Sequence, residues 1–189
     1  MIYEDDIQNC LTVLKNGGVI LYPTDTVWGI GCDATNSKAV EKIFSIKKRS
    51  KEKSMIVLVA DETAIATYSH HPNPLIFDYI KGVTKPTTVI YPQARNIAPA
   101  IINDDGSIGI RVVKDKFCET LIKELGSPLV STSSNISGYP PPAFFEDIDQ
   151  EIKNGVDYIV QHRQQDLTTA LPSTVVKLSE DGQITILRP

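Results

Sequence analysis

Histidine, cysteine and tryptophan are scarce in this chain of 189 residues, at three, three and one. The cysteines, Cys10, Cys32 and Cys118, are odd in number and form no C-x-x-C pair, which argues against a disulfide framework and a zinc site. Cys10 and Cys118 fall on apolar helix faces, and Cys32, beside two glycines, is the one expected nearest solvent. No Ser-His-Asp or Cys-His arrangement is available: His70 and His71 sit together in a proline-flanked loop and His162 in a polar one, so all three are expected on the surface. The patterns H-E-x-x-H and G-x-x-x-x-G-K-S/T are missing, which removes the common zinc-protease and P-loop chemistries. No apolar run approaches the ~20 residues that span a bilayer, and M-I-Y-E-D-D opens acidic where a signal peptide would be basic. A cytoplasmic protein without membrane contact is the expectation. A formal charge of −4 counts against coating nucleic acid by bulk electrostatics and leaves room for a local basic site.

What is present reads as one globular domain, residues 1–189, with 41% hydrophobic and 22% charged residues. The organising stretch runs from Val19 to Ala34. Four apolar residues read as a buried strand, and Pro23, which has no N–H to give a neighbour, ends it. Thr24, Asp25 and Thr26 follow, then Gly29 and Gly31, as in a chain leaving a sheet edge into a concave, ligand-facing loop. A tight turn with hydroxyl caps is the competing reading of the same residues.

Along the rest of the chain helices alternate with strands. Ile7, Leu11 and Leu14 mark a first helix, and Val40, Ile43 and Phe44 a second one capped by Asn36 or Ser37. The densest positive run, Lys47 to Lys53, closes that second helix. Strands are expected at Met55–Val59, Thr87–Tyr91, Ser107–Val113, Leu129–Ser133 and Tyr158–Gln161, with a hairpin of Thr174–Leu178 and Ile184–Leu187. In Ser107–Val113 the alternation sends Arg111 away from the face that the isoleucines bury. Roughly eight strands interleaved with helices make an α/β domain with a mixed sheet. Its loops carry hydroxyls at strand ends, while Lys47, Lys48, Arg49, Arg111 and Arg188 supply cations. An anionic ligand would have to be held by those side chains. A solvated helix end is the alternative reading of the lysine run.

Several motifs in order carry a resemblance: Y-P-T-D-T-V-W-G-I-G-C-D-A, I-K-K-R, T-K-P-T-T, S-I-G-I-R-V, L-V-S-T-S-S-N-I-S-G-Y-P-P-P, P-S-T-V-V and I-L-R-P. Together they resemble the YrdC-like family, the threonylcarbamoyl-AMP synthases, in its single-domain form, from about residue 10 to the C-terminus. The resemblance implies a twisted mixed β-sheet flanked by helices around a positively charged cleft. It implies a nucleotidyltransferase that makes threonylcarbamoyl-AMP and pyrophosphate from L-threonine, bicarbonate or CO2, and ATP, toward threonylcarbamoyladenosine in tRNA. Downstream threonylcarbamoyl-transfer proteins would take the product, and Mg2+ would come with the ATP.

Matched position by position, the resemblance gives Thr26, Ser131 and Ser173 to the substrate threonine. It gives Lys47, Arg49, Lys53, Thr88, Ser133, Asn135 and Arg188 to ATP, with Lys47, Arg49, Ser133 and Asn135 as the catalytic set and no metal ligands. Arg111 is divided between charge in the cleft and a structural role, and Asp25 is a candidate general base. Trp28 stands where tyrosine is usual, and Leu58 where longer relatives carry a histidine that contacts threonine. Two other readings stay open: a non-catalytic module of this fold that binds double-stranded RNA or tRNA, and a carbamoylation domain that works on a protein cysteine.

Overall fold

The computed structural model describes residues 2–50, 55–70, 72–179 and 183–189. The chain opens with α1 (Ile2–Lys15), whose Ile7, Cys10, Leu11 and Leu14 are buried at the three- and four-residue spacing of one helix face. Strands β1 (Ile20–Tyr22) and β2 (Gly29–Gly31) follow, then α2 (Ser37–Ile46) and β3 (Ile56–Val59). Next come α3 (Ile65–Tyr68), α4 (Leu75–Gly82), β4 (Thr87–Tyr91) and β5 (Ile108–Val112). The remainder is α5 (Lys116–Leu125), β6 (Leu129–Ser133), α6 (Gln150–Gly155), β7 (Tyr158–Ile159), β8 (Thr174–Leu178) and β9 (Ile184–Arg188).

The strands form one mixed sheet in the order β7-β1-β2-β6-β3-β5-β4-β8-β9. The pairs β1–β7, β3–β5 and β4–β8 are parallel and the other five are antiparallel. Residues paired across a ladder share a face, so the register sorts the side chains. Val130, Val57, Ile110, Val89 and Val176 are successive partners on one face. All are buried, in the same core as Leu11 and Leu14 of α1, Val40 and Ile43 of α2, and Phe117 and Leu121 of α5. Each such side chain contributes about 1.5–3 kcal/mol. The other face carries Leu58, Arg111, Thr88, Val175 and Arg188 as successive partners, with Ile56 opposite Ser131 and Gly29 opposite Ser133. Polar and cationic residues from distant segments therefore meet on this second face.

Strand β2 departs from the reading of Gly29 to Gly31 as open loop. Glycine is poor at forming strands, so propensity alone gives no strand here. Packing supplies the reason: a Cβ on Gly31 would lie 2.5 Å from the Val130 carbonyl oxygen and 2.7 Å from the Tyr22 ring. Tyr22 is fully buried, and its ring rests where a side chain at 31 would otherwise stand. Cys32 continues from β2 and is likewise buried, contrary to the expectation that it meets solvent.

One further expectation changes. His162 is not a solvated surface ring: it stacks on Phe117, with ring centres 5.7 Å apart, and meets the edge of Tyr3 at 5.3 Å. Asp6 of α1 is buried and accepts hydrogen bonds from Tyr158 Oη at 2.6 Å and from the backbone N–H groups of Gln161 and His162. It ties the first helix to the turn after β7. His71 lies outside the described residues.

Candidate functional site

The loop between β1 and β2 is held by its own hydroxyls. Thr24 Oγ1 donates to the Val27 carbonyl at 2.9 Å and accepts from the Thr26 N–H at 3.0 Å. Its one hydrogen is thereby committed, so in the 2.9 Å contact between the two hydroxyls Thr26 is the donor. Thr26 Oγ1 then accepts from Arg111 Nη1 at 3.1 Å. Arg111 Nη2 lies 3.1 Å from Asp25 Oδ1, an ion pair whose side chains are 3% and 9% exposed.

The lysine-arginine run owes its geometry to the end of α2. Asn36 caps the start of that helix by accepting from Lys38 N and Ala39 N. At its end Lys48 takes a left-handed conformation, φ 49°. Lys48 N donates to the Ser45 carbonyl at 3.1 Å and Arg49 N to the Phe44 carbonyl at 3.0 Å, the two bonds of a Schellman termination. The three consecutive side chains thus leave in different directions. Lys48 reaches Glu151 on α6 at 2.7 Å. Arg49 faces the cleft. Lys47 turns inward and is completely buried.

Lys47 Nζ donates to the carbonyls of Ser133 and of Asn135, the latter at 2.6 Å, while Lys47 O accepts from Ser137 N at 2.9 Å. Burial, and then the Arg49 charge, pull its ammonium down to about 7. The Asn135 amide nitrogen is engaged in the same way, Nδ2 donating to Ile136 O at 3.0 Å and Tyr139 O at 2.7 Å, while its buried Oδ1 has no partner among the described residues. Lys47 and Asn135 therefore brace the loop after β6 rather than face the cleft. Thr88 also stands behind the wall: it is fully buried, and its hydroxyl lies 2.8 Å from that of Ser173. Arg188 donates to the Ser173 carbonyl through Nη2 at 2.7 Å and Nε at 3.1 Å, and to its hydroxyl at 3.3 Å.

The cleft itself, about 190 Å³, is lined by Thr26, Arg49, Arg111, Ser131, Ser133, Ser173 and Arg188. Trp28, Met55, Ile56, Pro141 and Pro172 supply its apolar wall, and Phe145 backs Trp28 with ring centres 4.8 Å apart. Lys53 lies outside the described residues. Leu58 is buried in β3, register partner to Arg111. The alternation around Arg111 aims it off the apolar face, and the fold sets it beside Asp25. Burial lowers Arg49 from the ordinary arginine value. Burial and then the Arg111 charge lower Arg188. Converging guanidinium groups that disfavour one another's charge are relieved by an anion.

Comparison with known proteins places these features in context. The Sua5/YciO/YrdC family model, described as telomere recombination, matches residues 12–189. A protein of Photobacterium profundum named threonylcarbamoyl-AMP synthase is 31% identical over 163 residues, 83% of this chain and 86% of that protein. A protein of the same name from Idiomarina loihiensis is 33% identical over 146 residues, 76% of this chain and 78% of the other. Among solved structures, P. abyssi Sua5 complexed with L-threonine superposes with a TM-score of 0.84 at 23% identity. The match covers 97% of this chain and 53% of that one, so the chain spans about half the length of that protein. At this identity the likeness establishes the fold.

Proposed function

The chain belongs to the Sua5/YciO/YrdC family, and from that premise we propose that it is a threonylcarbamoyl-AMP synthase, a nucleotidyltransferase acting on L-threonine, bicarbonate or CO2, and ATP. The observation that carries the reading is the convergence of Arg49, Arg111 and Arg188 on one cleft with the hydroxyls of Thr26, Ser131, Ser133 and Ser173. The threonine amine adds to CO2 or bicarbonate to give a carbamate. A carbamate oxygen then attacks the α-phosphorus of ATP, and pyrophosphate leaves in line. Neither step needs a covalent enzyme intermediate. Both need alignment of small reactants and neutralisation of charge on the phosphates.

Arg111, buried beside Thr26, suits the threonine carboxylate, with Ser131 and Ser173 at the other polar groups of the amino acid. Arg49 and Arg188, with Ser133 and Lys53, suit the phosphates, Arg offering a planar fork. Lys47, Asn135 and Thr88 support that arrangement from behind the wall. Among the described residues no three His, Cys, Asp or Glu side chains cluster, and none of the cleft-lining residues is acidic. Mg2+ would enter as part of the nucleotide chelate, where it would offset phosphate charge. A cytoplasmic setting, tRNA as the final acceptor, and transfer proteins that collect the product complete the proposal. The test is incubation with labelled ATP, threonine and bicarbonate: pyrophosphate release that requires all three is expected, and release that ignores threonine would overturn it.

A further inference from the structure

Arg111 carries five N–H donors and is 2% exposed. Nη1 donates to Thr26 Oγ1 at 3.1 Å, and Nη2 lies 3.1 Å from Asp25 Oδ1 as an ion pair without hydrogen-bond geometry, so that Oδ1 too is buried without a hydrogen-bond partner among the described residues. The Nε–H, also buried, has no partner among the described residues. An unpaired buried donor of a charged group is costly and calls for an acceptor. Asp25 is itself pinned, its Oδ2 accepting from the Lys114 N–H at 3.3 Å, and it does not contribute to the cleft lining. The carboxylate therefore has a cation in front of it and a backbone N–H behind it, and no open line to a substrate amine.

We propose that Asp25 is a positioning residue that orients the Arg111 guanidinium, through an ion pair behind the cleft wall, so that its remaining donors receive the carboxylate of the amino-acid substrate. This rests on the reading of the cleft as an amino-acid site. It assigns Asp25 work different from proton abstraction. Removing its charge leaves Arg111 buried without its partner and free to rotate, which weakens capture of the amino acid and leaves the nucleotide's contacts with Arg49 and Arg188 in place.

The experiment compares wild type with Asp25→Asn and Asp25→Glu in threonine-dependent pyrophosphate release, with calorimetric binding of threonine and of ATP measured separately. Asp25→Asn is expected to raise KM for threonine roughly tenfold or more, the loss of about one oriented charge-assisted bond. ATP affinity and the pH profile of kcat stay unchanged, and Asp25→Glu recovers part of the loss. A fall in kcat with unchanged threonine KM and an altered pH profile would make Asp25 the base and overturn the proposal. Equal losses for threonine and ATP would reduce it to a fold-maintaining residue. Should Asp25→Asn not fold, Asp25→Glu alone still discriminates, since a displaced carboxylate must alter threonine binding and spare ATP. If wild type binds threonine but releases no pyrophosphate, the synthase reading fails while Asp25-dependent threonine affinity still upholds this one. Threonine affinity indifferent to both substitutions overturns it.

Discussion

The hydroxyls of Thr88 and Ser173 lie 2.8 Å apart across 85 residues of sequence, joining the start of β4 to the segment that leads into β8. Arg188 closes the same knot from β9 by donating to Ser173 O and Oγ. Ser173 reaches the cleft and Thr88 does not, so Thr88 acts through Ser173. A double-mutant cycle with Thr88→Val and Ser173→Ala, read as kcat/KM for threonine, should then be non-additive by about 0.5–3 kcal/mol, as for residues in one hydrogen-bond network. Additive losses would mean that Thr88 works on its own.

Arg49 lines the cleft while its neighbour Lys48 is drawn to Glu151. Arg49→Ala should weaken ATP binding by about 1.5–3 kcal/mol, the scale of a charge-assisted hydrogen bond. Arg49→Lys should recover part of that. Lys48→Ala serves as the control in the same calorimetric titration, because an exposed pair such as Lys48–Glu151 contributes little and faces elsewhere. Equal effects at the two positions would return the whole run to a solvated helix end.

Glycines predict opposite signs at two places. Gly31→Ala forces a methyl against the Val130 carbonyl, a backbone atom that cannot move aside as a side chain would. A destabilisation of about 1–3 kcal/mol or more is expected from denaturant titration. Gly82, at the end of α4, has nothing within 4 Å of its would-be Cβ. Gly82→Ala should raise stability by about 0.5–1 kcal/mol, the helical penalty of glycine.

Much of this architecture is legible in the chain before any coordinates. Thr87–Tyr91 and Leu129–Ser133 run between breakers and match β4 and β6 residue for residue. Asn36 caps α2 where its side-chain chemistry says it should. What escapes is whatever depends on a partner far away in sequence. Nothing local tells Gly29–Gly31 that the Tyr22 ring needs its space. Nothing in I-K-K-R separates the lysine that will be buried on the carbonyls of a loop 86 residues on from the arginine that faces the cleft. The left-handed turn at Lys48 makes that separation, and a lysine is an unusual residue for such a turn. Asp25 and Arg111 likewise read separately, one as a candidate base and the other between cleft charge and a structural role, until the fold sets them together.

Lys47 gives a pH dependence of definite sign. Its folded value is drawn from 10.5 down to about 7, first by burial and then by Arg49. Between those values the unfolded chain holds a proton that the folded chain has released, so stability rises with pH across the interval. Below pH 7 the lysine is charged in both states and its contribution is constant. The unfolding free energy of wild type minus that of Lys47→Met is therefore expected to grow as pH goes from 7 to 9. A flat difference would mean that the carbonyls of Ser133 and Asn135 keep the ammonium charged throughout.

The arrangement of the arginines also separates a nucleotide site from an RNA-binding face. A duplex is gripped by cations spread along a surface, each neutralising its own phosphate, and its affinity falls with salt at a slope of about −0.9 per phosphate contacted. Arg49, Arg111 and Arg188 instead converge on one cleft, an arrangement suited to one compact anion rather than to phosphates spaced along a duplex. The net charge of −4 gives the rest of the surface little pull on a polyanion. ATP binding should accordingly show a shallow dependence on salt. Duplex RNA should bind weakly, with any measurable binding displaced by ATP, because among the described residues the nucleotide takes two of the three arginines that line the cleft. Filter-binding titrations over a range of salt, with and without saturating ATP, make the measurement. Tight duplex binding that persists in saturating ATP, without turnover of the three substrates, would replace the synthase with an RNA-binding module.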